Sequence, residues 1–539
     1  MNTFIGGSAS FGIYNELIRL PLAIYLWKKD EYMPVLAVSW ELKPEDKPKY
    51  FIVHLRKDAK WSDGTDFTAE DVVTTYYIGY ILGWPEWEYI DKVWAHDKYT
   101  VIFHLKKPSP IIIRYILRRD PRDSKTYGKF ADKILKRIKE GKTTKEMKDI
   151  LAELKKYRPE TILATGPFML DLKSYTEDEV HLVKNPYFYD KDRIKFDRIK
   201  IVNGETAFII PMILEKKIDY ATHAFPPSVE KMFIEKGIRI IRSPTCVGPA
   251  LILNHDVYPF NLKRFRQALA YAINRAECGK ESLGKSGVPV KYMAGISDSL
   301  ISRWLNKSEL EGLNKYEYDP TLAEIMLEEL GFTKDEEGFW IDDRGNPLEF
   351  TILAPSEWVD WFATAENVAK QLTKFGIKVT VEDIPANVML SRIYKGNFQM
   401  AIQLWGSGKP HPYFAMWNDF IRLNNDIYRG GAGKNKGINF PLTIETDDFG
   451  KIDIFREIMN LKAGFDEEQI RKRTLKLVRI FNEYLPLIPL WERYGNNTVL
   501  EGVRVKGWPP DDDPLYRNNF YLDNYVIIMI LKGILQPVN

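Results

Sequence analysis

The residues best suited to chemistry in this chain are indoles grouped in turn-rich stretches: Trp84 with Trp87, Trp358 with Trp361, and Trp405 with Trp417. Core packing is the plainer reading of any single Trp, because Trp is highly buried on average. Clusters bounded by loop residues fit it less well. A flat aromatic face suits the apolar C–H face of a sugar ring, while the sugar hydroxyls reach surrounding polar groups. A peptide would also demand partners for its amino terminus and its carboxylate, best supplied by a buried Asp and an Arg.

Bond-making chemistry finds little support. The histidines are His54, His96, His104, His181, His223, His255 and His411. None belongs to a His-Glu-x-x-His helix or stands at zinc spacing from a cysteine. There is no Gly-x-Ser-x-Gly elbow. Gly430-Gly431-Ala432-Gly433-Lys434-Asn435 invites a phosphate-loop reading and fails it. The first required glycine falls on Tyr428, and Asn435 stands where magnesium needs Ser or Thr. The stretch reads as a flexible loop. A glycosidase needs two carboxylates about 5–10 Å apart. The 74 acidic residues neither exclude such a pair nor point to one. Cys246 and Cys278 cannot form a disulfide framework and have no Cys-x-x-Cys spacing. Buried thiols are favoured over a single bridge.

Elements that would position these groups alternate between strand and helix, which predicts a mixed α/β chain. Residues 50–56 and Tyr99–Leu105 read as strands. Between them, the Asp63-Gly64 turn leads to a helix capped by Thr68, with Asp71 at its third position. Residues 129–158 are densely charged and read as a pair of surface helices. Val180–Lys184 is a strand ended by Asn185-Pro186, and Ile199–Val202 is another, followed by a helix near Ala207–Glu215. Asn261 can cap a helix with Leu262, Phe265, Leu269, Ala272 and Ile273 on one face. Pro320 opens a helix that Gly331 follows. Phe339–Ile341 and Leu348–Leu353 flank Asp343-Arg344-Gly345-Asn346-Pro347 and read as a hairpin. A helix carrying Val368, Leu372 and Phe375 then leads through Gly376 to a strand with Ile377, Val379 and Val381. The order over 348–382 predicts a parallel βαβ unit. Ligands of such sheets lie at the carboxyl ends of the strands, here the loop Ala354–Trp361.

The balance of 77 basic against 74 acidic residues, a net of +3, leaves no electrostatic footprint for nucleic acid or an anionic membrane. At 539 residues the chain exceeds one ordinary core, so at least two lobes are expected. The longest apolar runs, Phe208–Leu214 and Tyr525–Leu531, are strand-length and well short of the roughly 18 residues of a membrane helix. The first twenty residues lack the basic and apolar regions of a secretion signal, so the chain is either cytosolic or processed.

Several blocks resemble the large extracellular solute-binding proteins of ABC transporters, family 5, which includes oligopeptide-, dipeptide-, nickel- and β-oligosaccharide-binding members. The strongest runs from Phe51-Ile52-Val53-His54-Leu55-Arg56 through Trp61-Ser62-Asp63-Gly64 to Phe67-Thr68-Ala69-Glu70-Asp71-Val72-Val73. Pro34, Leu36, Ala37, Ser39 and Trp40 are similar to the family's entry strand. Thr165-Gly166-Pro167-Phe168 and Asn185-Pro186-Tyr187-Phe188-Tyr189 are similar to its next markers. Arg264–Arg275 and Pro486–Leu490 complete a resemblance over nearly the whole chain. It implies a two-lobe periplasmic-binding-protein type II fold (cluster C) with an extra third subdomain on the first lobe. The first lobe would comprise 1–40, 162–255 and 488–539, the extra subdomain 41–161, and the second lobe 256–487.

The resemblance also implies a pocket. Ala401–Trp417 is similar to a pocket-wall segment in which Gly-Trp precedes a loop ending in Pro, so Trp405 and Gly406 are expected at the ligand. In peptide binders this loop supplies an Asp to the peptide's amino group; that place here is Gly408, and no acid lies between Trp405 and Pro412. His223, Trp84, Trp87, Trp358, Trp361, Trp491 and Tyr494 are the other implied contacts. The expectation is an extracellular or cell-surface, membrane-anchored receptor, monomeric and without cofactor, enzymatic activity or metal. It would bind a cellobiose-like or manno-oligosaccharide by hinge closure and deliver it to ABC permease subunits. An oligopeptide ligand is the alternative, with Glu357, Asp360 or Glu492 as the acid. A secreted carbohydrate enzyme is the reading of a different class.

Overall fold

The computed structural model describes residues 2–5, 12–45, 47–176, 178–204 and 206–538. The chain forms two compact units: Met1–Phe208 with Ala463–Phe465 and Glu501–Asn539, and Ile209–Lys462 with Asp466–Leu500. Both mix helix and strand, as the sequence pattern requires.

In the first unit, strands β1 (Ala37–Lys43), β2 (Tyr50–Leu55), β3 (Ile90–Asp97) and β4 (Thr100–Leu105) form an antiparallel sheet in the order β1-β2-β4-β3. Phe51, Val53 and Leu55 alternate inward, as do Val101, Phe103 and Leu105. This period-2 face puts Phe51 opposite Phe103 in the register. Helix α1 (Ala69–Ile81) packs in the same core. Its start is over-determined: the Asp71 carboxylate accepts the Thr68 N–H at 2.8 Å, the Trp61 indole N–H at 3.1 Å, and the Ser124 N–H and hydroxyl at 2.7 and 2.8 Å. The charged stretch forms helices α2 (Ser124–Lys139) and α3 (Lys148–Lys156), which bury Phe130, Ile134, Ile150 and Leu154 and leave most of their charges outside. Strands β5 (Phe168–Asp171), β6 (Glu179–Lys184) and β7 (Arg198–Val202) make a second antiparallel sheet. The Asn185 amide ends it by donating to the Gly166 carbonyl at 2.9 Å.

The second unit is built on a five-stranded sheet. In chain order its main elements are β8 (Val247–Leu253), α4 (Lys263–Ala272), α5 (Arg275–Leu283), β9 (Gly287–Pro289), β10 (Glu349–Pro355), α6 (Val359–Phe375), β11 (Lys378–Ile384), β12 (Met400–Gly406), α7 (Glu467–Tyr484), β13 (Leu487–Pro489) and β14 (Trp491–Arg493). The sheet order is β11-β10-β12-β8-β13, with β10 parallel to both β11 and β12 and β8 antiparallel to β12 and β13. The β10–α6–β11 unit is the expected βαβ crossover, and Gly376 ends α6 at a φ of 105° that favours glycine. The polar run of α4 is a clamp. Arg266 is buried and donates to the carbonyls of Phe260, Tyr484 and Leu485 at 2.9, 2.7 and 3.1 Å.

Three local expectations change. The helix expected near Ala207–Glu215 forms as Thr206–Leu214, whereas the strand-length run Tyr525–Leu531 is helical as well. A short run apolar on every side has no period to distinguish the two states. In the second case the Asn524 side chain caps the helix by accepting the Val526 N–H at 2.8 Å. The hairpin is also different. Trp340–Ile341 pairs with Thr333–Lys334, only an Ile341–Pro347 bridge crosses the Asp-Arg-Gly-Asn turn, and β10 turns its edges to β11 and β12. The helix foreseen after Asn261 has Leu262 at its cap and begins at Lys263. Both cysteines are buried free thiols.

Candidate functional site

The carboxyl ends of β10 and β12 lie on one edge of the second unit's sheet, where an open α/β sheet exposes its loops to ligand. The pairing Val247↔Gly406 brings the start of β8 to the same edge. Gly406 has a φ of +74°, and a Cβ there would stand 2.9 Å from the Cys246 carbonyl oxygen, so only glycine fits the turn into the 407–411 loop. Its N–H donates to Asp419 Oδ1 at 2.8 Å.

Trp405 and Trp491 are both fully buried. The Trp405 indole N–H donates to the Trp491 carbonyl at 3.2 Å, and the Trp491 indole N–H donates to Thr364 Oγ1 on α6 at 3.1 Å. Thr364 Oγ1 meets Ser282 Oγ of α5 at 2.9 Å. The two indoles therefore tie strand to strand and strand to helix pair. Gly248 lets β8 pass this point, since a Cβ there would stand 1.9 Å from the Trp491 carbonyl oxygen.

Trp358 behaves differently. It is 44% exposed, at the N-terminus of α6, and its ring meets Trp361 edge to face with centroids 4.8 Å apart. Trp361 is buried beneath it. The loop after β10 ends at Trp358, the N-cap of α6; Trp361, expected in that loop, lies in the first turn of the helix.

Tyr494 is half-buried, and its hydroxyl meets Ser299 Oγ at 2.9 Å. His223 is half-buried with its ring 5.8 Å from Phe225. In the first unit, Trp84 is half-buried over α1, where a Cβ on Gly79 would meet its ring at 2.1 Å, and the Arg119 guanidinium lies 3.7 Å from its centroid. The Trp87 indole N–H donates to the Tyr76 carbonyl at 3.0 Å. Of the nine residues singled out in the sequence, Trp405, Gly406, Trp358, Trp361, Trp491 and Tyr494 fall on this edge of the second unit or on elements packed against it.

Sequence reasoning missed one buried carboxyl group, Asp419, and weighed two others, Glu492 and Asp360, only as acids for a peptide ligand. Asp419 follows the helix Pro412–Trp417 and returns to Gly406; burial pushes its carboxyl up to about 7. Glu492 of β14 accepts the Ser299 N–H at 3.4 Å and is likewise pushed up by burial to about 7. Asp360, between the two indoles of α6, is raised by burial, with Arg493 opposing. Each keeps one buried oxygen without a hydrogen-bond partner among the described residues. No spacing announces Asp419, because its contact depends on where the 407–411 loop turns. Glu357 serves the backbone instead, accepting the Ala386 N–H at 2.9 Å. Chemically the edge offers one partly exposed indole and buried acids whose carboxyls burial pushes up. Among the described residues, no group of three or more His, Cys, Asp or Glu is arranged for a metal, and no helix is long and apolar enough to cross a membrane.

The model of the bacterial extracellular solute-binding proteins, family 5, matches residues 31–426, well over half of the chain. A probable ABC transporter-binding protein of Deinococcus radiodurans is 25% identical over 422 residues, covering 71% of this chain and 67% of its own. The dipeptide-binding protein of Escherichia coli is 24% identical over 438 residues, covering 76% and 73%. Among solved structures, a periplasmic oligopeptide-binding protein of Thermotoga maritima superposes with a TM-score of 0.77 at 21% identity, covering 97% of this chain and 94% of its own. Its mannohexaose-bound form scores 0.70 at 20% identity, covering 97% and 93%. The fold is thus the two-lobe type II binding-protein fold. The chain belongs to family 5 of the bacterial extracellular solute-binding proteins, the receptors that capture a solute for an ABC importer without transforming it.

Proposed function

We propose that this receptor captures a β-linked gluco- or manno-oligosaccharide outside the cell and delivers it to the permease subunits of its importer. The carrying observation is Trp358: an indole 44% exposed to solvent, in edge-to-face contact with Trp361, after the carboxyl end of a parallel strand. An indole stacks on a pyranose and has no need of charge. The 407–411 loop adds Ser, Gly, Lys, Pro and His but no acid. The shared fold with a protein that holds mannohexaose supports the same reading. Capture proceeds by hinge closure, a ligand-driven population shift. The receptor acts as a monomer. Its lobes divide as the family resemblance implies: 1–40, 162–255 and 488–539 for the first, 256–487 for the second, and 41–161 for the extra subdomain.

A peptide is the second reading, favoured by the buried acids Asp419, Glu492 and Asp360 and by relatives named for dipeptides. Titration calorimetry with cellobiose, mannohexaose and mixed tri- to pentapeptides separates the two. Heat from a sugar alone is the expected result, and heat from peptides with silent sugars overturns the first reading.

A further inference from the structure

Two buried hydrogen-bond donors stand side by side in the second unit, neither with an acceptor among the described residues: Trp304 Nε1 and His411 Nε2. Their rings meet edge to face, centroids 5.5 Å apart. An indole N–H can only donate. For His411 the backbone settles the matter. Its Nδ1 accepts the Tyr413 N–H at 3.3 Å as the N-cap of Pro412–Trp417, so the ring proton belongs on Nε2. Burial holds the imidazole neutral, with its pKa pushed down to about 3. A protein interior rarely leaves such donors unused, because each loses its water on burial and regains nothing.

Their location points to a use. His411 closes the loop that leaves β12 at Gly406, on the ligand edge of the sheet. Trp304 ends the segment whose Ser299 meets both Glu492 and Tyr494. Both side chains keep part of their surface in solvent although the donor atoms are covered. Access of a solute to the pair requires the atoms that cover the two donors to shift.

We propose that Trp304 and His411 form an oxygen-recognition subsite, two neutral donors that take uncharged acceptor oxygens of the solute, whether hydroxyl, ether or carbonyl. The assignment rests on solute capture at this edge. Two donors with no positive charge select neither an anion nor an ammonium group, which distinguishes the pair from the nearby acids.

The test uses the full chain, with mannohexaose and tetra-alanine as probes. Trp304→Phe removes the N–H and leaves a smaller aromatic ring in its place. His411→Asn removes the Nε2 donor, while its side-chain oxygen still caps the helix. Each variant is expected to bind mannohexaose at least tenfold more weakly, while its unliganded melting temperature is unchanged or raised, as relief of an unsatisfied donor implies. Full affinity in both variants overturns the subsite and leaves the oligosaccharide reading standing. Binding of tetra-alanine in place of mannohexaose overturns that reading instead. In that event equal peptide affinity in the variants overturns the subsite too, and a tenfold loss supports it.

Discussion

Asp419 makes stability depend on pH in a direction opposite to that of an ordinary paired carboxylate. Its folded pKa of about 7 lies above the free value of 3.8. Between them the native state holds a proton that the unfolded chain has released. Its contribution is therefore complete below the unfolded pKa and is lost as pH rises through the folded one. Asp419→Asn keeps an oxygen for the Gly406 N–H and has no proton to lose. It is expected to stabilise the protein at pH 8 by up to about 4 kcal/mol, with little effect near pH 4, at roughly 1.4 kcal/mol per unit between. Guanidinium melts at both pH values check this, and an equal shift at both would refute it. Trp358 and Trp405 should separate just as cleanly. Trp358→Ala is expected to weaken mannohexaose about tenfold, roughly 1.4 kcal/mol, with an unchanged melt. Trp405→Ala opens a cavity in the core and is expected to cost about 3–5 kcal/mol of stability. Chemical denaturation beside calorimetry reads both. The sequence marked all these indoles alike; burial sorts them.

At the scale of elements, most boundaries follow from local signals. The Thr68-x-x-Asp71 start of α1, the Gly376 stop of α6 and the 3.6 period of α4 are each legible because a cap or a face is written within a few residues. Asp71 shows what local reading leaves out. As a capping residue it faces the Thr68 N–H, but in the fold it also accepts from Trp61 and from both donors of Ser124. Asp71→Ala is thus expected to cost well over the roughly 1 kcal/mol of a lost cap, about 3 kcal/mol, because buried donors lose their acceptor. The fall in urea midpoint measures it, and a loss of only a cap's worth would show that the three-way junction carries no load. Periodicity fails where it must: the helix Tyr525–Leu531 has no polar side to mark its turn.

Over the whole molecule, binding and stability are one measurement. A solute that binds only the folded receptor stabilises it by about 2.7 kcal/mol at one hundred times its Kd. Saturating mannohexaose is therefore expected to raise the melting temperature, and tetra-alanine to leave it unchanged; the reverse pattern marks a peptide receptor. The family was legible from sequence because its markers are structural necessities written as short contiguous runs. Trp61-Ser62-Asp63-Gly64 makes a turn, Arg266 clamps three carbonyls, and Asn185 seals a strand end, each with residue types that little else can replace. The amino-acid sequence by itself determined the mixed α/β class, the family and the loop that carries Trp358. Only the tertiary structure decided that Trp405 and Trp491 are pillars, that Asp419 returns to Gly406, and that Trp304 meets His411. Those contacts join residues 13 to more than 100 positions apart, and burial and donor pairing at such separations belong to packing rather than to any local pattern.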